Sequence, residues 1–484
     1  MTIPGSDRTG RNRGPAAYRR HLAEAGRLPP EPPRHRSEKV PQHPTHGRPN
    51  VLWIQFDQLR ADVFGHAKRF GIATPHIDRL VREGALCTRS YCTSPVCVTS
   101  RASQLTGLRP SRHGAIANHY PMAADPVTWP TLLRDAGWRC ATIGKEHCGR
   151  SPQAIWEYHD DVMDPFGATK PSHVPFDPGN FPDLAFIDGV CDNSDLVLHG
   201  AWPGPEATTK THQLTTLAER WLYWHDEPRP FVLRVSYGDP HPPVLPPPPW
   251  LGRHDPDTLA MAHRSGTDGA SDTVRAWASF HGDDRVDEGG HRQHVARYLD
   301  LVAFCDHQVG RLLDALDRSD YAQDTLVILN ADHGHMLGER GLVHKGPFFY
   351  DGVWRIPTIA RWPGRIPAGR VVDDLVDGAD FAATMLDALG QGVPSGWDGR
   401  SLLPALRGQA PTGRDVVCGQ WDDYLFAIRD ARWKLFISDA DADGELYDMD
   451  ADPYERDNRW HDPGCTAIRT RLLYRLRAWR QGAA

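Results

Sequence analysis

The chain has 484 residues, a formal net charge of -7 and 24% charged residues, enough for one large α/β enzyme domain with a smaller appendage or for two to three ordinary domains. The mild negative charge argues against general nucleic-acid binding, and no window approaches the unbroken apolar length of a membrane span, so neither nucleic acid nor membrane is expected as a partner. Nine cysteines without CxxC pairs suggest neither a zinc ribbon nor a disulfide framework. With an N-terminus that lacks a secretory layout, they place the expected home of the chain in the cytoplasm.

Residues 1–48 are rich in Arg, Pro, Gly and His and cannot bury enough surface to offset their ordering entropy, so a disordered tail is expected there. The first buried strand is predicted over Asn50-Val51-Leu52-Trp53-Ile54-Gln55-Phe56. Helical patterns follow over Pro75–Gly84 and Thr131–Gly137, each stopped by its glycine. Arg139–Ile143 and Phe231–Ser236 read as further buried strands. The polar stretch over 250–290 is too long for an ordinary connection and reads as an active-site lid or a surface insertion. Tyr298, Leu301, Val302, Cys305, Val309, Leu312, Leu313 and Leu316 recur at helical spacing, which predicts an amphipathic helix over Val295–Leu316. A strand over Thr325–Asn330 comes next. Strands alternating with helices imply a largely parallel sheet covered on both faces. Near the C-terminus, Phe426–Ile437 reads as a hairpin, followed by Gly444–Met449 and a helix near Ala467–Arg480. The expected division is a catalytic α/β domain over 49–412 and a small subdomain over 413–484, an antiparallel sheet plus a helix.

Ligands in such sheets are delivered at the C-terminal ends of strands. Two of the predicted strands end in a polar pair, Asp57-Gln58 after Phe56 and Asp332-His333 after Ala331. Either pair alone reads equally well as the cap of a following helix. Together they are what a divalent-cation site would use, with anionic oxygen from Asp57 and Asp332, an amide oxygen from Gln58 and an imidazole nitrogen from His333. Such a shell suits Ca²⁺ and Mg²⁺, while the imidazole moves preference towards Mn²⁺. Ca²⁺ or Mn²⁺ is the expected ion.

The run from Ser94 to Gly107, with Cys97, Ser100, Arg101, Leu105, Thr106 and Gly107, resembles the sulfatase signature Cys-x-Pro-Ser-Arg followed by Leu-Thr-Gly. Thr99 stands where the family usually has proline. Gly144-Lys145-Glu146-His147 is similar to the family's Gly-Lys-x-His. Asp239-Pro240-His241-Pro242 and the stretch from Asp332-His333-Gly334 to Lys345-Gly346 also match, and Asn118 follows Ser111-Arg112-His113-Gly114.

The resemblance to the sulfatase and phosphonate-hydrolase branch of the alkaline phosphatase superfamily implies a mixed sheet between helices. It implies that a formylglycine-generating enzyme oxidises Cys97, whose hydrated aldehyde supplies the nucleophile and one metal ligand. Arg101 would then orient that group. Lys145 and Lys345 would hold the anion with Asn118, His147 would contact the formylglycine hydroxyl, and His241 would protonate the leaving oxygen. The substrate would be a small anionic ester. Three readings follow: a sulfate-ester hydrolase; a phosphonate monoester or phosphodiester hydrolase, compatible with Gln58, His333 and Asn118; and a non-catalytic protein of the same fold, which an unmodified Cys97 would support.

Overall fold

Among the described residues eight strands assemble one sheet: β1 (Asn50–Phe56), β2 (Ala85–Tyr91), β3 (Arg139–Gly144), β4 (Tyr158–Asp160), β5 (Phe231–Ser236), β6 (Thr325–Ala331), β7 (Thr358–Arg361) and β8 (Arg370–Asp377). Their order is β8-β2-β7-β6-β1-β5-β3-β4. All run parallel except β7, which is antiparallel to both of its neighbours. The computed structural model describes residues 47–482, apart from 124–125, 163–184, 187–196, 226, 260, 262–265 and 440–443. The tail expected over 1–48 therefore lies outside the described residues but for its last two positions.

Strand β1 shows why this order forms. Every residue of it is buried, and its side chains alternate between two cores. Leu52, Ile54 and Phe56 enter one; Val51 and Trp53 enter the other. A strand covered on both faces needs that continuous apolar run. The first core is closed by α1 (Pro75–Glu83), by a later helix over Lys210–Trp224 and by the long helix over Glu288–Asp317. The second is closed by α2 (Cys97–Thr106), α3 (Trp129–Asp135) and a helix over Asp380–Ala388.

The longer helices that follow on the main sheet are, in chain order, α4 (Lys210–Trp224), α5 (Asp272–His281), α6 (Glu288–Asp317) and α7 (Asp380–Ala388). Helix α6 starts two turns earlier than its apolar periodicity predicts. Gly289 and Gly290 are poor helix formers, but the Asp287 carboxylate caps the end by accepting from the Gly290 amide at 2.7 Å. The stretch over 250–290 is tied down in part. Its α5 sends Val274 and Ala278 into the first core, and the amides of Gly252 and His254 donate to buried Asp300 of α6 at 2.6 and 3.0 Å.

One glycine works differently from its sequence reading. Gly137 is left-handed at φ +92° after α3, as a helix stop requires. Gly84 is not left-handed, with φ -142°. It is a glycine because a Cβ there would lie 2.2 Å from the Ala360 carbonyl oxygen.

The C-terminal sheet runs β9 (Val417–Trp421), β10 (Leu425–Arg429), β11 (Trp433–Ser438) and β12 (Gly444–Asp448), all antiparallel. One face packs Phe426, Ile428, Leu435 and Leu446 on Leu472 and Leu476 of α8 (Thr466–Arg480). The other sends Leu425, Ala427, Phe436 and Tyr447 into the first core of the main sheet. The eight cysteines among the described residues are free and buried. No described helix is long and apolar enough to cross a membrane.

Two measurements test this packing. Gly84→Ala is expected to lower the unfolding free energy by about 1–3 kcal/mol through overpacking alone, read from a denaturant titration. Asp283 is wholly buried, and burial pushes its carboxyl up to about 8. Because the folded state then binds a proton that the unfolded chain releases near pH 4, stability should fall as pH rises from about 4 to about 8. Asp283→Asn should flatten that decline in melting temperature.

Candidate active site

Strands β6, β1, β5 and β3 are adjacent and parallel, so their C-terminal ends open on the same edge of the sheet. Asp332-His333 leave β6, Asp57-Gln58 leave β1, His241 lies five residues beyond β5, and Lys145 follows β3. Adjacent ends are drawn together by the main chain: the Asp332 amide donates to Phe56 O at 3.2 Å and the Lys145 amide to Ser236 O at 2.9 Å. Gly144 makes the second contact possible. It adopts φ +99°, and a Cβ there would stand 2.2 Å from Ser236 O.

Cys97 is the first residue of α2, and Arg101 follows four residues later on the same helical face. The Cys97 Sγ lies 3.0 Å from Lys345 Nζ, 3.1 Å from His333 Nε2, 3.6 Å from Asp57 Oδ1 and 4.0 Å from Lys145 Nζ. Arg101 is fully buried. It donates from Nε to Asp332 Oδ2 at 2.7 Å, from one Nη to Asp57 Oδ2 at 3.1 Å, and from the other to Ser236 Oγ at 2.9 Å and Gln55 Oε1 at 3.1 Å. Lys145 Nζ donates to Asp57 Oδ2 at 2.5 Å. Lys345 Nζ lies 3.0 Å from His241 Nε2, while His241 Nδ1 faces Pro242 O at 2.5 Å.

These charges shift one another. Burial opposes ionisation of Asp57, but Lys145, His241 and Arg101 hold its carboxyl well below the usual range. Burial and the neighbouring Asp57 raise the Asp332 carboxyl. For Cys97, burial and Asp57 oppose the thiolate, and Lys145, Lys345 and His333 outweigh them, so its pKa falls well below that of a free thiol. Burial and Lys345 push His241 down to about 3. Burial disfavours charge on His333, yet Asp332 raises its pKa. The field that draws a proton to that ring also draws a metal cation, because both use the same lone pair.

Asp57, Cys97, Asp332 and His333 each offer a ligand atom, all within 4.8 Å of one another. They form the one such buried group among the described residues. Gln58 Oε1 is buried with no hydrogen-bond partner, as an oxygen reserved for a cation would be. Gln58 is also held at φ +62°, a left-handed conformation that costs a non-glycine residue about 1 kcal/mol or more. His333 Nδ1 lies 2.9 Å from Gly334 O, which assigns the proton to Nδ1 and leaves Nε2 for a ligand. Two carboxylates, an imidazole and a spare amide oxygen fit a divalent cation.

Two expected residues stand further out. His147 is exposed, with φ +40°, and no hydrogen bond joins it to Cys97. Asn118 is exposed, and its Oδ1 accepts from the Val98 amide at 3.1 Å, so it caps α2 where Val96 offers no side-chain cap. Thr99 fits where the related signature has proline. It lies in the first turn, before the first helical bond from the Ser100 amide to Val96 O, so its own amide is not needed by the helix.

Several supporting residues carry no sequence signal. Gln55 takes Arg101 and also Arg234, whose Nε donates to it at 3.0 Å. Arg234 in turn pairs with Glu146, fixing the segment that carries Lys145. Gln104 accepts from Gln55 Nε2 at 2.5 Å and donates to Ala331 O at 3.0 Å, joining α2 to β1 and β6. Only the fold brings these positions together; spacing along the chain could not have found them.

The chain is similar to known proteins along most of its length. The sulfatase family model matches residues 49–391, and the model of the N-sulphoglucosamine sulphohydrolase C-terminal region matches residues 338–482. The multifunctional alkaline phosphatase superfamily protein PehA of Trinickia caryophylli is 28% identical over 90% of this chain and 95% of its own length. Choline-sulfatase of Rhizobium meliloti (strain 1021) is 28% identical over 87% of this chain and 84% of its own. The fold matches the crystal structure of the phosphonate monoester hydrolase of Agrobacterium radiobacter with a TM-score of 0.77 at 24% identity, covering 90% of this chain and 96% of that one.

Arg101→Met would leave Asp57 and Asp332 buried without their guanidinium. A loss of about 3–5 kcal/mol in unfolding free energy is expected, measured by denaturant titration. Arg101→Lys should recover only part of it, since one ammonium cannot reach both carboxylates as the planar fork does.

Proposed function

We propose that this chain, which belongs to the sulfatase family and hydrolyses sulfate esters, does so through a formylglycine made from Cys97 beside one divalent cation. The observation that carries this reading is the place of the Cys97 sulfur. It sits at the start of a buried helix, 3.0 Å from Lys345 and 3.1 Å from His333, against a paired-carboxylate cluster.

Formylglycine at Cys97 would supply a hydrated aldehyde as nucleophile, and a cation held by Asp57, Gln58, Asp332 and His333 would supply Lewis-acid activation. Cys97 Sγ stands in for an oxygen of that hydrate, so its contacts identify the groups around the reacting atom. Lys145 and Lys345 flank it and hold the oxygens of the anion as charge builds on them. Arg101 stays bound to Asp57 and Asp332 throughout and keeps both carboxylates in place.

Protonation of the leaving oxygen involves two groups. His241 is neutral, with its pKa pushed to about 3, and its Nε2 accepts from the Lys345 ammonium at 3.0 Å. Lys345 Nζ and His241 Nε2 therefore stand together beside the Cys97 sulfur, and the leaving oxygen takes its proton from this pair. Asn118 keeps its Oδ1 on Val98 and offers its amide N–H groups to an ester oxygen. His147 acts as the base that takes the second proton only if its ring turns inward from the surface.

A second reading, hydrolysis of phosphonate monoesters or phosphodiesters, is compatible with Gln58, His333 and Asn118 and with the fold of the phosphonate monoester hydrolase. The neutral amide of Gln58 replaces the carboxylate that many family members carry, and because phosphonate monoesters and phosphodiesters carry one negative charge as sulfate monoesters do, the same site serves either class of anion.

The test is peptide mass spectrometry across Cys97 on protein co-expressed with a formylglycine-generating enzyme, paired with turnover of an aryl sulfate, a phosphonate monoester and a phosphodiester. An aldehyde-bearing peptide is expected, with the aryl sulfate turned over fastest. Cys97→Ala should lower kcat/KM by about 10⁴-fold or more. Full turnover by Cys97→Ala would remove Cys97 from the chemistry.

A further inference from the structure

A glutamine ligand poses a problem that a carboxylate does not. Its amide has two ends of similar size, and only the oxygen end binds a cation. Something must therefore decide which end faces Asp57 and Asp332. In this chain the neighbours of Gln58 offer its amide nitrogen a partner, so that the oxygen can stay free for the ion.

Gln58 Nε2 lies 2.6 Å from Nδ1 of His335, and His335 Nε2 lies 2.8 Å from Nε2 of His294 on α6. All three side chains are buried. The His335 ring has little freedom to move. It stacks on Tyr298 with ring centroids 5.0 Å apart and planes 10° from parallel. Its own amide donates to Gly352 O at 2.8 Å, and its carbonyl accepts from Arg60 at 2.7 Å. Tyr298 serves both partners, since its hydroxyl donates to the Gln58 carbonyl at 2.7 Å.

Two proton arrangements satisfy these contacts with neutral rings. In one, Gln58 N–H donates to His335 Nδ1 and His335 Nε2–H donates to His294 Nε2. In the other, both bonds reverse, and Gln58 turns its oxygen towards His335. The first leaves Gln58 Oε1 unpaired, as observed; the second uses it up. A cation at the site takes that spare oxygen and so selects the first.

We infer that His335 is a positioning residue for the cation: its Nδ1 accepts the Gln58 amide proton, leaving Oε1 as the ligand atom, and His294 accepts from the opposite side of the ring. This rests on the reading that Asp57, Gln58, Asp332 and His333 hold a divalent cation. His335 touches neither substrate nor cation. Its effect is on affinity for the ion, before any turnover.

The experiment titrates the full-length protein with Mn²⁺ and counts free ion by electron paramagnetic resonance, with the state of Cys97 matched across variants. His335→Asn places a side-chain amide near Nδ1 and His335→Gln places one near Nε2, so the two differ in position more than in polarity. Mn²⁺ affinity near that of the unaltered protein is expected for H335N, and a loss of about 10–100-fold for H335Q, the range for partners that orient metal ligands. In a Gln58→Glu background, either oxygen can serve, so the gap between H335N and H335Q should shrink to less than about threefold. Equal affinities for H335N and H335Q, with the unaltered protein binding Mn²⁺, overturn the role of His335 alone. A gap that persists undiminished with Gln58→Glu overturns it as well, because it then acts through something other than the amide. Failure of the unaltered protein to bind Mn²⁺ overturns the cation reading and this inference with it.

Discussion

Two carboxylates, Asp57 and Asp332, emerge side by side from adjacent parallel strands and are wholly buried. Left alone, such a pair would repel, and each would lose its hydration. The guanidinium of Arg101 bridges them, with 2.7 and 3.1 Å contacts, and the remaining architecture is arranged around that bridge. Since Arg101 is one helical turn past Cys97, fixing the fork also fixes the sulfur over the carboxylates. The position of the Cys97 sulfur is therefore a consequence of charge compensation at the end of the sheet.

Helix α2 is held to the sheet by polar contacts as well as by packing. Val98, Ala102 and Leu105 enter the second core, while Ser100 and Gln104 bond to the carbonyls of Asp332 and Ala331. Gln55, Gln104 and Asn330 link in turn, and Trp53 Nε1 donates to Asn330 at 2.8 Å. A connected buried network of this kind tolerates little displacement, because any shift leaves polar atoms unpaired in a medium of low dielectric. Rigidity at Cys97 and the high cost of broken hydrogen bonds have the same origin.

The C-terminal subdomain contributes to the site indirectly. Lys345 lies on a segment whose flanks are anchored to that subdomain. Arg340 donates to Tyr447 Oη at 2.7 Å, Tyr350 Oη donates to Glu445 at 2.8 Å, and buried Lys434 donates to Asp351 at 2.8 Å. The inner face of the small sheet also shares the first core of the large one. Lys345 is thus supported from both sides, by the main sheet through His333 and by the small sheet through these pairs.

Much of this was legible in the chain itself. Buried parallel strands such as Asn50–Phe56 and Phe231–Ser236 announce themselves as apolar runs, since both faces need covering. The polar pairs Asp57-Gln58 and Asp332-His333 are legible at the ends of their strands, because that feature is local. Strands Ala85–Tyr91 and Arg370–Asp377 were not legible. They carry charged and polar residues whose placement depends on pairing with each other, with partners nearly three hundred residues apart. The start of α6 was hidden by two glycines and supplied by a cap. The same limit applies to the site. Sequence by itself singled out Asp57, Cys97, Asp332 and His333, which the fold brings within 4.8 Å of one another, because their chemistry is written in side-chain identity. Only the tertiary structure decided that Arg234 braces Glu146, that Asn118 caps the helix of Cys97 and that His335 faces Gln58. These contacts join distant segments, and their geometry exists only once the sheet has brought its strand ends together.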